Sequence, residues 1–370
     1  MRIKSVSFTD HLTGWNVKNV HLGALTLLVG ASGVGKTLIL RVISTIADIA
    51  RGSAIEGKEW HIEFSEADSD YIWHGRFGIA DSKESSSIFE DSDFSIEIET
   101  LMHADGRVIF ERDTEKILYN DQPTVKLDSS KSAIELLKEE ARIAPIHRGF
   151  KKISWLKIGY GSVLRLTPGL LDDNQPMSLE RIKNTQRLSP IDRLYLISQH
   201  FPTLFKEIES DFREIFTTVE SIGFEIDQFF KRQKEIVPLL CLKETGVKQW
   251  IKFPDISAGM YKTLSHLVTL KLADDGDVIL IDEFENGLGI NCIDQLAESA
   301  LEPDRDVQII MTSHHPYIIN TIPFNDWLII SRKGSNVCVQ TAQDLKIGEF
   351  SKHDAFMQLM QNKAFTNGHL

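Results

Sequence analysis

The first third of the chain shows two hydrophobic patterns. Apolar residues alternate with polar ones in runs at 60–64, 71–79 and 94–99, and this period-two pattern predicts antiparallel strands with one solvated face. Residues 25–29 form a short continuous apolar run, and residues 38–46 carry apolar side chains at helical spacing. This part of the chain is therefore predicted to contain a strand, a turn and a helix among antiparallel strands.

The pattern changes to helical periodicity in the middle of the chain. The Ser- and Asp-rich stretch 81–93 is predicted to be a flexible loop. Apolar residues recur every three or four positions in 130–142 and 205–216, and Pro190 and Pro202 stand at predicted first helical positions. The apolar stripe in 205–216 is interpreted as core packing of an amphipathic helix.

Two apolar runs near the start of the last third, 236–242 and 247–253, predict strands that return to the core. We therefore predict an α/β protein with a mixed central sheet, an antiparallel β subdomain and a mainly helical insertion. The predicted division is an N-terminal lobe at 1–119, the insertion at 120–235 and a C-terminal lobe at 236–370.

The turn after the apolar run 25–29 is rich in glycine and ends in Lys-Thr. A strand, such a loop and a helix make a phosphate-binding loop: backbone N–H groups converge on phosphate oxygens, Lys36 reaches the β/γ-phosphates and Thr37 ligates Mg²⁺. An ordinary glycine turn is the alternative. The predicted nucleotide-binding residues here are Gly30, Ala31, Ser32, Gly33, Val34, Gly35, Lys36 and Thr37.

The second motif is an acidic pair, Asp282 and Glu283, which directly follows the apolar run 278–281. At the end of a buried strand, Asp282 is predicted to hold Mg²⁺ directly or through its water, and Glu283 to orient or deprotonate the attacking water. The alternative is a charge pair at a helix N-terminus.

Two further stretches add polar groups that suit phosphate. Ser257 and Gly259 open a predicted helix, and a helix N-terminus can bind an anion. His314 follows the strand predicted at 307–311, where it could contact a γ-phosphate. A capping or packing role is the alternative for His314 and its neighbour His315, and two adjacent histidines are poor zinc spacing.

Taken in order, these motifs resemble the ATP-binding-cassette ATPase superfamily. They are most similar to the soluble branch with the RecF, SMC and OLD-type proteins and the bacterial AAA family ATPases of phage-defence operons. The resemblance covers the first 50 residues and roughly 236–340. It implies these assignments: Walker A at Gly30 to Thr37 with catalytic Lys36, the signature at Ser257, Ala258 and Gly259, Walker B metal ligand Asp282 and catalytic acid Glu283, the D-loop at Glu285 to Gly289, and switch histidine His314.

The resemblance also implies a homodimer that sandwiches two ATP molecules, with Mg²⁺ at Thr37 and Asp282. ATP would stabilise the closed dimer and hydrolysis would release it. Two features depart from the commonest transporter pattern. Ala258 and Met260 replace the usual glycine and glutamine of the signature, and Gln122 lacks the context of a Q-loop residue.

Charge and composition add a candidate contact surface. The formal net charge is −12, but residues 142–193 carry a net charge of +6, and residues 56–99 carry −10. The basic stretch is interpreted as a surface for DNA or an acidic protein, and a solvated helical arm is the alternative. Scattered Cys241, Cys292 and Cys338 predict reduced, buried thiols. The absence of a long apolar run predicts a cytoplasmic protein without a membrane segment.

Three functions are compatible with these motifs. The first is a sensor or regulatory ATPase of a bacterial anti-phage system that controls a separate nuclease or toxin, since only about 40 residues follow Ile330. The second is a RecF- or SMC-like ATPase of DNA repair or maintenance, with the basic stretch on DNA. The third, a transporter nucleotide-binding subunit, is disfavoured by the long insertion and the atypical signature.

Overall fold

The structure is a computed structural model. It describes residues 1–80, 94–156, 158, 177–185, 188–226, 237–289, 292, 296, 305–348, 352–362, 365 and 368. The predicted loop at 81–93 and part of the basic stretch therefore lie outside the described residues. Among the described residues, every helix is too short or too polar to span a bilayer.

Helices and strands occur in both halves of the chain. The helices are α1 (Lys36–Ala50), α2 (Ala133–Leu136), α3 (Ala144–Lys151), α4 (Leu179–Asn184), α5 (Pro190–His200), α6 (Pro202–Ile215), α7 (Ala258–Lys271), α8 (Pro316–Thr321) and α9 (Lys352–Gln361). The strands are β1 (Arg2–Asp10), β2 (Asn16–His21), β3 (Leu25–Val29), β4 (Lys58–Glu66), β5 (Ser69–Phe77), β6 (Ile96–His103), β7 (Val108–Arg112), β8 (Ile117–Tyr119), β9 (Gln122–Pro123), β10 (Ile153–Leu156), β11 (Val219–Ile226), β12 (Pro238–Glu244), β13 (Ile251–Lys252), β14 (Val278–Ile281), β15 (Gln308–Thr312), β16 (Trp327–Lys333) and β17 (Asn336–Thr341).

Most of these strands join one mixed sheet. Within the described residues its order is β10-β14-β15-β3-β16-β17-β2-β1-β4-β5-β6-β7-β8-β9. The neighbours β14, β15, β3 and β16 run parallel, whereas β1 and β4 to β9 pair antiparallel. The predicted mixed sheet with an antiparallel subdomain is confirmed.

The parallel strands form the interior of the sheet. Every residue of β14 and β15 is buried, as continuous apolar runs predict for strands covered on both faces. Helix α1 buries one apolar face that includes Ile39, Ile43 and Ile46. Each such isoleucine stabilises the fold by about 1.5–3 kcal/mol relative to an exposed position, so this face fixes the helix that follows the glycine loop.

The antiparallel subdomain has the predicted wet and dry faces. In β4, Trp60, Ile62 and Phe64 are buried at alternate positions. On the dry face the rings of Trp60 and Trp73 lie 5.2 Å apart, and Phe150 of α3 contacts Trp73 edge-on at the same distance. Aromatic pairs of this kind contribute about 0.5–1.5 kcal/mol each beyond area burial. They attach α3 to the sheet.

A buried ion pair lies at the edge of this aromatic cluster. The Glu99 carboxylate, fully buried on β6, lies 3.0 Å from Arg112 Nε, and the Arg112 side chain is only 2% exposed. The same carboxylate accepts hydrogen bonds from Trp73 Nε1 at 3.0 Å, Ser132 Oγ at 2.6 Å and the Ala133 N–H at 3.0 Å. Since Ser132 also caps α2, one carboxylate joins two strands to that helix.

The chain divides into two compact units by its internal contacts. Unit 1 comprises Met1–Trp155, Asp274–Phe284 and Arg305–Leu370, and unit 2 comprises Leu156–Ala273 and Glu285–Asp304. The predicted lobes were contiguous stretches, whereas these units are assembled from separate segments. In unit 2, α5 packs on α6 and α7, and β11, β12 and β13 form a three-stranded sheet.

Several local predictions are correct. Helices α5 and α6 begin at Pro190 and Pro202 as predicted. Ser189 forms a capping box with Asp192 at the start of α5. The apolar stripe of α6 buries Ile208, Phe212 and Ile215, which confirms its interpretation as core packing.

Three other predictions are wrong. The helix predicted over 130–142 is limited to α2, since the chain turns at 137–143 and a new helix, α3, begins at Ala144 with Pro145 in its first turn, where a proline needs no N–H. The strand predicted at 247–253 is reduced to β13, since Lys243 Nζ binds the carbonyl groups of Val247 and Lys248. Cys338 is half-buried rather than buried, while Cys241 and Cys292 are buried, and all three are free thiols.

Candidate nucleotide site

The glycine loop connects β3 to α1 in unit 1. Gly30 has a φ of +150°, and a Cβ atom there would lie 2.3 Å from the Ile330 carbonyl oxygen of the neighbouring strand β16. Only glycine fits this close approach. Gly35 precedes α1 in the left-handed conformation, so the first N–H groups of the helix open onto the loop. Such N–H groups lack partners within the helix and favour a phosphate.

Lys36 lies inside this loop. Its side chain is buried, and Nζ donates hydrogen bonds to the carbonyl oxygens of Gly30 and Ala31, each at 2.8 Å. The ammonium is thereby held over the backbone that would enclose a phosphate. A charge in this position strengthens hydrogen bonds to phosphate oxygens.

Asp282 meets the loop at the end of β14. Its Oδ1 atom accepts hydrogen bonds from Thr37 Oγ1 at 3.1 Å and from Thr312 Oγ1 at 2.7 Å. Thr37 begins the helix after the glycine loop, and Thr312 ends β15, the strand between β14 and β3. The sheet order therefore brings together two motifs that are 245 residues apart in the chain.

The backbone of Glu283 has an uncommon conformation. Its φ is +48°, in the left-handed region, which costs about 1–3 kcal/mol for a residue other than glycine. Its N–H donates to Thr312 Oγ1 at 2.7 Å, and the next N–H, of Phe284, donates to the Thr312 carbonyl oxygen at 3.0 Å. The buried Phe284 ring anchors this turn, and the Glu283 side chain is exposed on the cavity wall.

The two adjacent histidines have different environments. His314 is exposed and lines the same cavity as Lys36 and Glu283. His315 instead caps α8, where its Nδ1 atom accepts the Tyr317 N–H at 3.3 Å. The capping role considered for both residues therefore applies to His315, while His314 is placed where a bound phosphate could be reached.

These residues surround one cavity of about 490 Å³, a volume typical of small-molecule sites. Part of its wall consists of residues that the sequence motifs singled out: Ser32, Gly33, Gly35, Lys36, Thr37, Asp282, Glu283 and His314. Sequence reasoning missed the remaining wall, which β1, β2 and their turn, α1, β4, β15 and β16 supply: Phe8, Asp10, Thr13, Trp15, Val17, Leu38, Arg41, Val42, Thr45, Lys58, Thr312 and Arg332.

Trp15 and Arg332 form an aromatic and cationic wall. The Arg332 guanidinium lies 5.7 Å from the centroid of the Trp15 ring, within the range of a cation–π interaction. In the sequence the only signal was an isolated aromatic residue in a short turn between two strands. Arg332 gave no signal, because its approach depends on the order of strands in the sheet.

Asp10 holds the turn that carries Trp15. Burial opposes its ionisation, but hydrogen bonds from Lys58, Thr13 and the Leu12 N–H outweigh it and hold the pKa of Asp10 below its usual range. The carboxylate is therefore charged at neutral pH, and the turn is attached to Lys58 of β4.

The donor set at Thr37 and Asp282 fits Mg²⁺. Both side chains line the cavity and present oxygen atoms, the ligands that this hard cation prefers. Thr37 donates its proton to Asp282, so the lone pairs of its hydroxyl remain available to a cation. Magnesium would supply charge neutralisation and orientation of nucleotide phosphates here.

The predicted signature residues lie in unit 2, at the start of α7. Ser257 is the N-cap, and its Oγ accepts the Met260 N–H at 3.2 Å, which leaves its own proton for an anion. Lys262 Nζ donates to the Asn286 carbonyl oxygen in the predicted D-loop at 2.8 Å. A Cβ at Gly259 would lie 3.0 Å from the Gly287 carbonyl oxygen. The signature and the D-loop are therefore joined within one unit.

His266 lies deeper in α7. Complete burial lowers the pKa of its ring to about 3, and the nearby charge of Lys262 acts in the same direction. The ring is therefore neutral at neutral pH. The predicted packing of this helix through an apolar face is confirmed by buried Leu264, Leu267 and Val268.

Gln122 and the basic stretch have no assigned role at this site. Gln122 lies on the two-residue edge strand β9 and is exposed, and it stays without a role. In the basic stretch 142–193, Arg142, Arg148 and Lys151 are exposed, but Lys157, Arg165 and Arg187 lie outside the described residues.

The arrangement defines the class of protein. A glycine loop ends one core strand, an acidic pair ends another, and a further strand lies between them in a parallel core. This is the core arrangement of a P-loop NTPase. A family profile described as "AAA domain, putative AbiEii toxin, Type IV TA system" matches residues 25–320. The chain belongs to that family.

Solved structures of SMC head domains are similar to this chain at low sequence identity. A head domain bound to the C-winged helix domain of ScpA has 12% identity and a TM-score of 0.46, with 94% of this chain and 100% of that chain covered. One derived from Pyrococcus furiosus, with an extended coiled coil and bound to the C-terminal domain of ScpA, has 12% identity, a TM-score of 0.44, and 93% and 98% coverage. One from Thermotoga maritima has 11% identity, a TM-score of 0.39, and 92% and 99% coverage. No curated protein matches the chain in sequence.

Proposed function

We propose that this chain binds ATP with Mg²⁺ and hydrolyses it to ADP and phosphate. The observation that carries the proposal is the single cavity in which Lys36, Thr37, Asp282, Glu283 and His314 meet. These side chains supply a phosphate-binding cation, oxygen ligands for a metal, a carboxylate for the attacking water and a second polar contact. Phosphoryl transfer requires chiefly such positioning and electrostatic stabilisation.

Each residue has one task in this proposal. The loop N–H groups and Lys36 hold the β/γ-phosphates, and His314 contacts the γ-phosphate. The Glu283 carboxylate orients a water molecule and accepts its proton as the bond from the water oxygen to the γ-phosphorus forms. The bond from that phosphorus to the β–γ bridging oxygen breaks, and ADP leaves with that oxygen. The left-handed backbone at Glu283 directs this side chain toward the cavity rather than along the strand.

The second end of the cavity is proposed to take the nucleoside. Replacing Trp15 with Ala should weaken ATP binding by about 5- to 100-fold, because base–aromatic stacking contributes about 1–3 kcal/mol. Trp15→Phe should retain most of the affinity. The dissociation constant of a fluorescent ATP analogue, measured for both variants, checks this. An unchanged ATP affinity in Trp15→Ala would show that the nucleobase does not stack on Trp15.

We further propose a homodimer with two sandwiched nucleotides, in which the Ser257 helix of one copy contacts ATP bound by the other. The hydroxyl proton and N-terminus of α7 suit a phosphate, and the glycine loop encloses one side of it. Assembly beyond the dimer would build on this unit.

Ser257→Arg tests the sandwich. The variant should leave monomer nucleotide affinity within about twofold of the wild type, since the Walker residues are untouched, and should remove the increase of turnover with protein concentration because the arginine blocks the cap. Titration of ATPase rate against protein concentration checks it, with Ser257→Ala as the milder comparison. Unchanged concentration-dependent turnover in Ser257→Arg would reject the sandwich.

For the biological role, we propose the regulatory ATPase of an anti-phage defence system that controls a separate nuclease or toxin. Membership of a family described by a putative AbiEii toxin and a Type IV TA system supports this role. The experiment is a phage-plating assay with the gene in its native neighbourhood, comparing wild type with Lys36→Ala. Protection that is lost in the variant supports defence. Equal plating with and without the whole gene cluster, across a broad phage panel, would contradict it.

A DNA-maintenance ATPase is the second candidate, favoured by the exposed basic residues Arg142, Arg148 and Lys151. If these and their neighbours bind phosphates, DNA affinity should fall about 10³-fold between 50 and 200 mM salt for six contacts or more. Fluorescence anisotropy with a labelled duplex measures this slope. An absence of binding at 50 mM salt would exclude this candidate.

A further inference from the structure

Thr312 stands at the junction of the acidic motif and the core sheet. It is the last residue of β15, and its side chain is 1% exposed. Its hydroxyl donates to Asp282 Oδ1 at 2.7 Å and accepts the Glu283 N–H at 2.7 Å. Its carbonyl oxygen accepts the Phe284 N–H at 3.0 Å. One buried residue thus fixes three successive residues after β14.

The two hydrogen bonds of the Thr312 hydroxyl, one donated and one accepted, are geometrically coupled. A threonine hydroxyl has one proton, and here it points to Asp282, so a lone pair faces the Glu283 N–H. Asp282 Oδ1 also receives the Thr37 hydroxyl at 3.1 Å. The orientation of this carboxylate is therefore set by one hydroxyl from the glycine-loop helix and one from the adjacent strand.

The same hydroxyl supports an uncommon backbone. Glu283 has its left-handed φ of +48° at the residue whose N–H is bound by Thr312. A conformation of this kind persists only when the surroundings fix it. Loss of the hydroxyl would release the Glu283 N–H and allow the side chain to leave the cavity wall.

We propose that Thr312 is a positioning residue that sets both the metal-binding carboxylate of Asp282 and the direction of Glu283, the general base of the proposed reaction. The inference rests on the proposed function, since it assigns Thr312 a part in the same site. The proposed positioning role of Thr312 depends on its hydroxyl group, whereas a packing role would depend on the volume of its side chain.

The test compares Thr312→Val, which keeps the shape and removes the hydroxyl, with Thr312→Ser, which keeps the hydroxyl. Thr26→Val is the matched control, because Thr26 is also buried in the core sheet and its hydroxyl accepts the Gly23 N–H at 3.0 Å. The first measurement is the ADP dissociation constant with Mg²⁺ and with EDTA. The second is kcat and KM for ATP.

In Thr312→Val the affinity for ADP in EDTA should stay within about twofold, and the increase in affinity that Mg²⁺ produces should fall by about 10- to 100-fold, the range for partners of metal ligands. The kcat at saturating ATP and Mg²⁺ should fall by a similar factor, because the direction of Glu283 is lost, and the KM should rise with the weakened Mg²⁺ effect. Thr312→Ser and Thr26→Val should keep both values near the wild type.

Two results would overturn the proposal: an unchanged Mg²⁺ effect in Thr312→Val, or an equal loss in Thr312→Ser. If the wild type binds ADP with a Mg²⁺ effect but hydrolyses no ATP, hydrolysis fails as a function and the binding comparison still decides the role of Thr312. A wild type whose ADP affinity ignores Mg²⁺ would overturn the proposal together with the metal site.

Discussion

Glu283→Gln is expected to bind ATP and fail to hydrolyse it, with kcat lowered by at least about 100-fold, the usual contribution of a positioned general base. The amide keeps the size of the side chain and cannot accept the water proton. Because the phosphate loop and Asp282 are unchanged, the affinity for ATP should remain near the wild-type value. ATP should then accumulate in the closed dimer, which would be seen by size-exclusion chromatography with ATP and Mg²⁺.

Lys36→Ala separates loss of chemistry from loss of binding. Removing the buried ammonium over the loop should abolish measurable ATP binding, so this variant stays monomeric with or without nucleotide. Normal turnover in Glu283→Gln would show that another group accepts the proton. If Glu283→Gln itself neither binds nor hydrolyses ATP, Glu283 supports the fold of the phosphate loop instead.

The largest expected effect on stability is at the buried pair of Glu99 and Arg112. Glu99→Gln keeps the shape of the side chain and leaves the Arg112 guanidinium buried without its counter-charge. Removing one partner of a buried pair costs about 3–5 kcal/mol, a large part of the 5–15 kcal/mol that typically stabilises a folded protein. Urea unfolding followed by tryptophan fluorescence measures the loss, since Trp73 contacts the same carboxylate.

Glu97 provides the matched control on the same strand. Its carboxylate pairs with Arg76 Nε at 2.7 Å, but the two side chains are 38% and 43% exposed. Water screens such a pair, so Glu97→Gln should cost less than about 1 kcal/mol. If the two substitutions had equal effects, burial would not determine the strength of the Glu99 pair.

Local patterns singled out residues that the structure brings together at one end of the cavity. The strand, loop and helix around Lys36 are contiguous, and the acidic motif at Asp282 follows its own buried strand. In each case the chemistry and its supporting element lie within a few residues. The start of α5 at Pro190 was predicted for the same reason, because a cap and a proline act locally.

The rest of the cavity depends on the order of strands. Trp15 and Arg332 are more than 300 residues apart, and they meet because β17, the strand paired with β16, lies beside β2, which begins directly after Trp15. Thr312 was visible in the sequence as the residue before Ser313 and His314, but its two hydrogen bonds follow from the place of β15 beside β14. No local pattern encodes such neighbours.

The predicted helix length was wrong where tertiary contacts competed with apolar periodicity. The apolar spacing in 130–142 fits one long helix, yet α2 has four residues. Its start is fixed by Ser132 and Glu99, a partner from a distant strand, and Pro145 belongs to the start of the next helix. Periodicity predicts which faces are apolar, whereas tertiary partners decide where the helices end.

The position of β3 also affects how the protein is made. This strand pairs on both sides with β15 and β16, which the ribosome synthesises roughly 280 residues later. At a synthesis rate of about 5–20 residues per second, the backbone N–H and C=O groups of β3 lack these partners for on the order of 15–60 s. During that interval β3 lacks the two strands with which it pairs in the folded sheet. The candidate nucleotide site therefore becomes complete only after β15 and β16 have been synthesised.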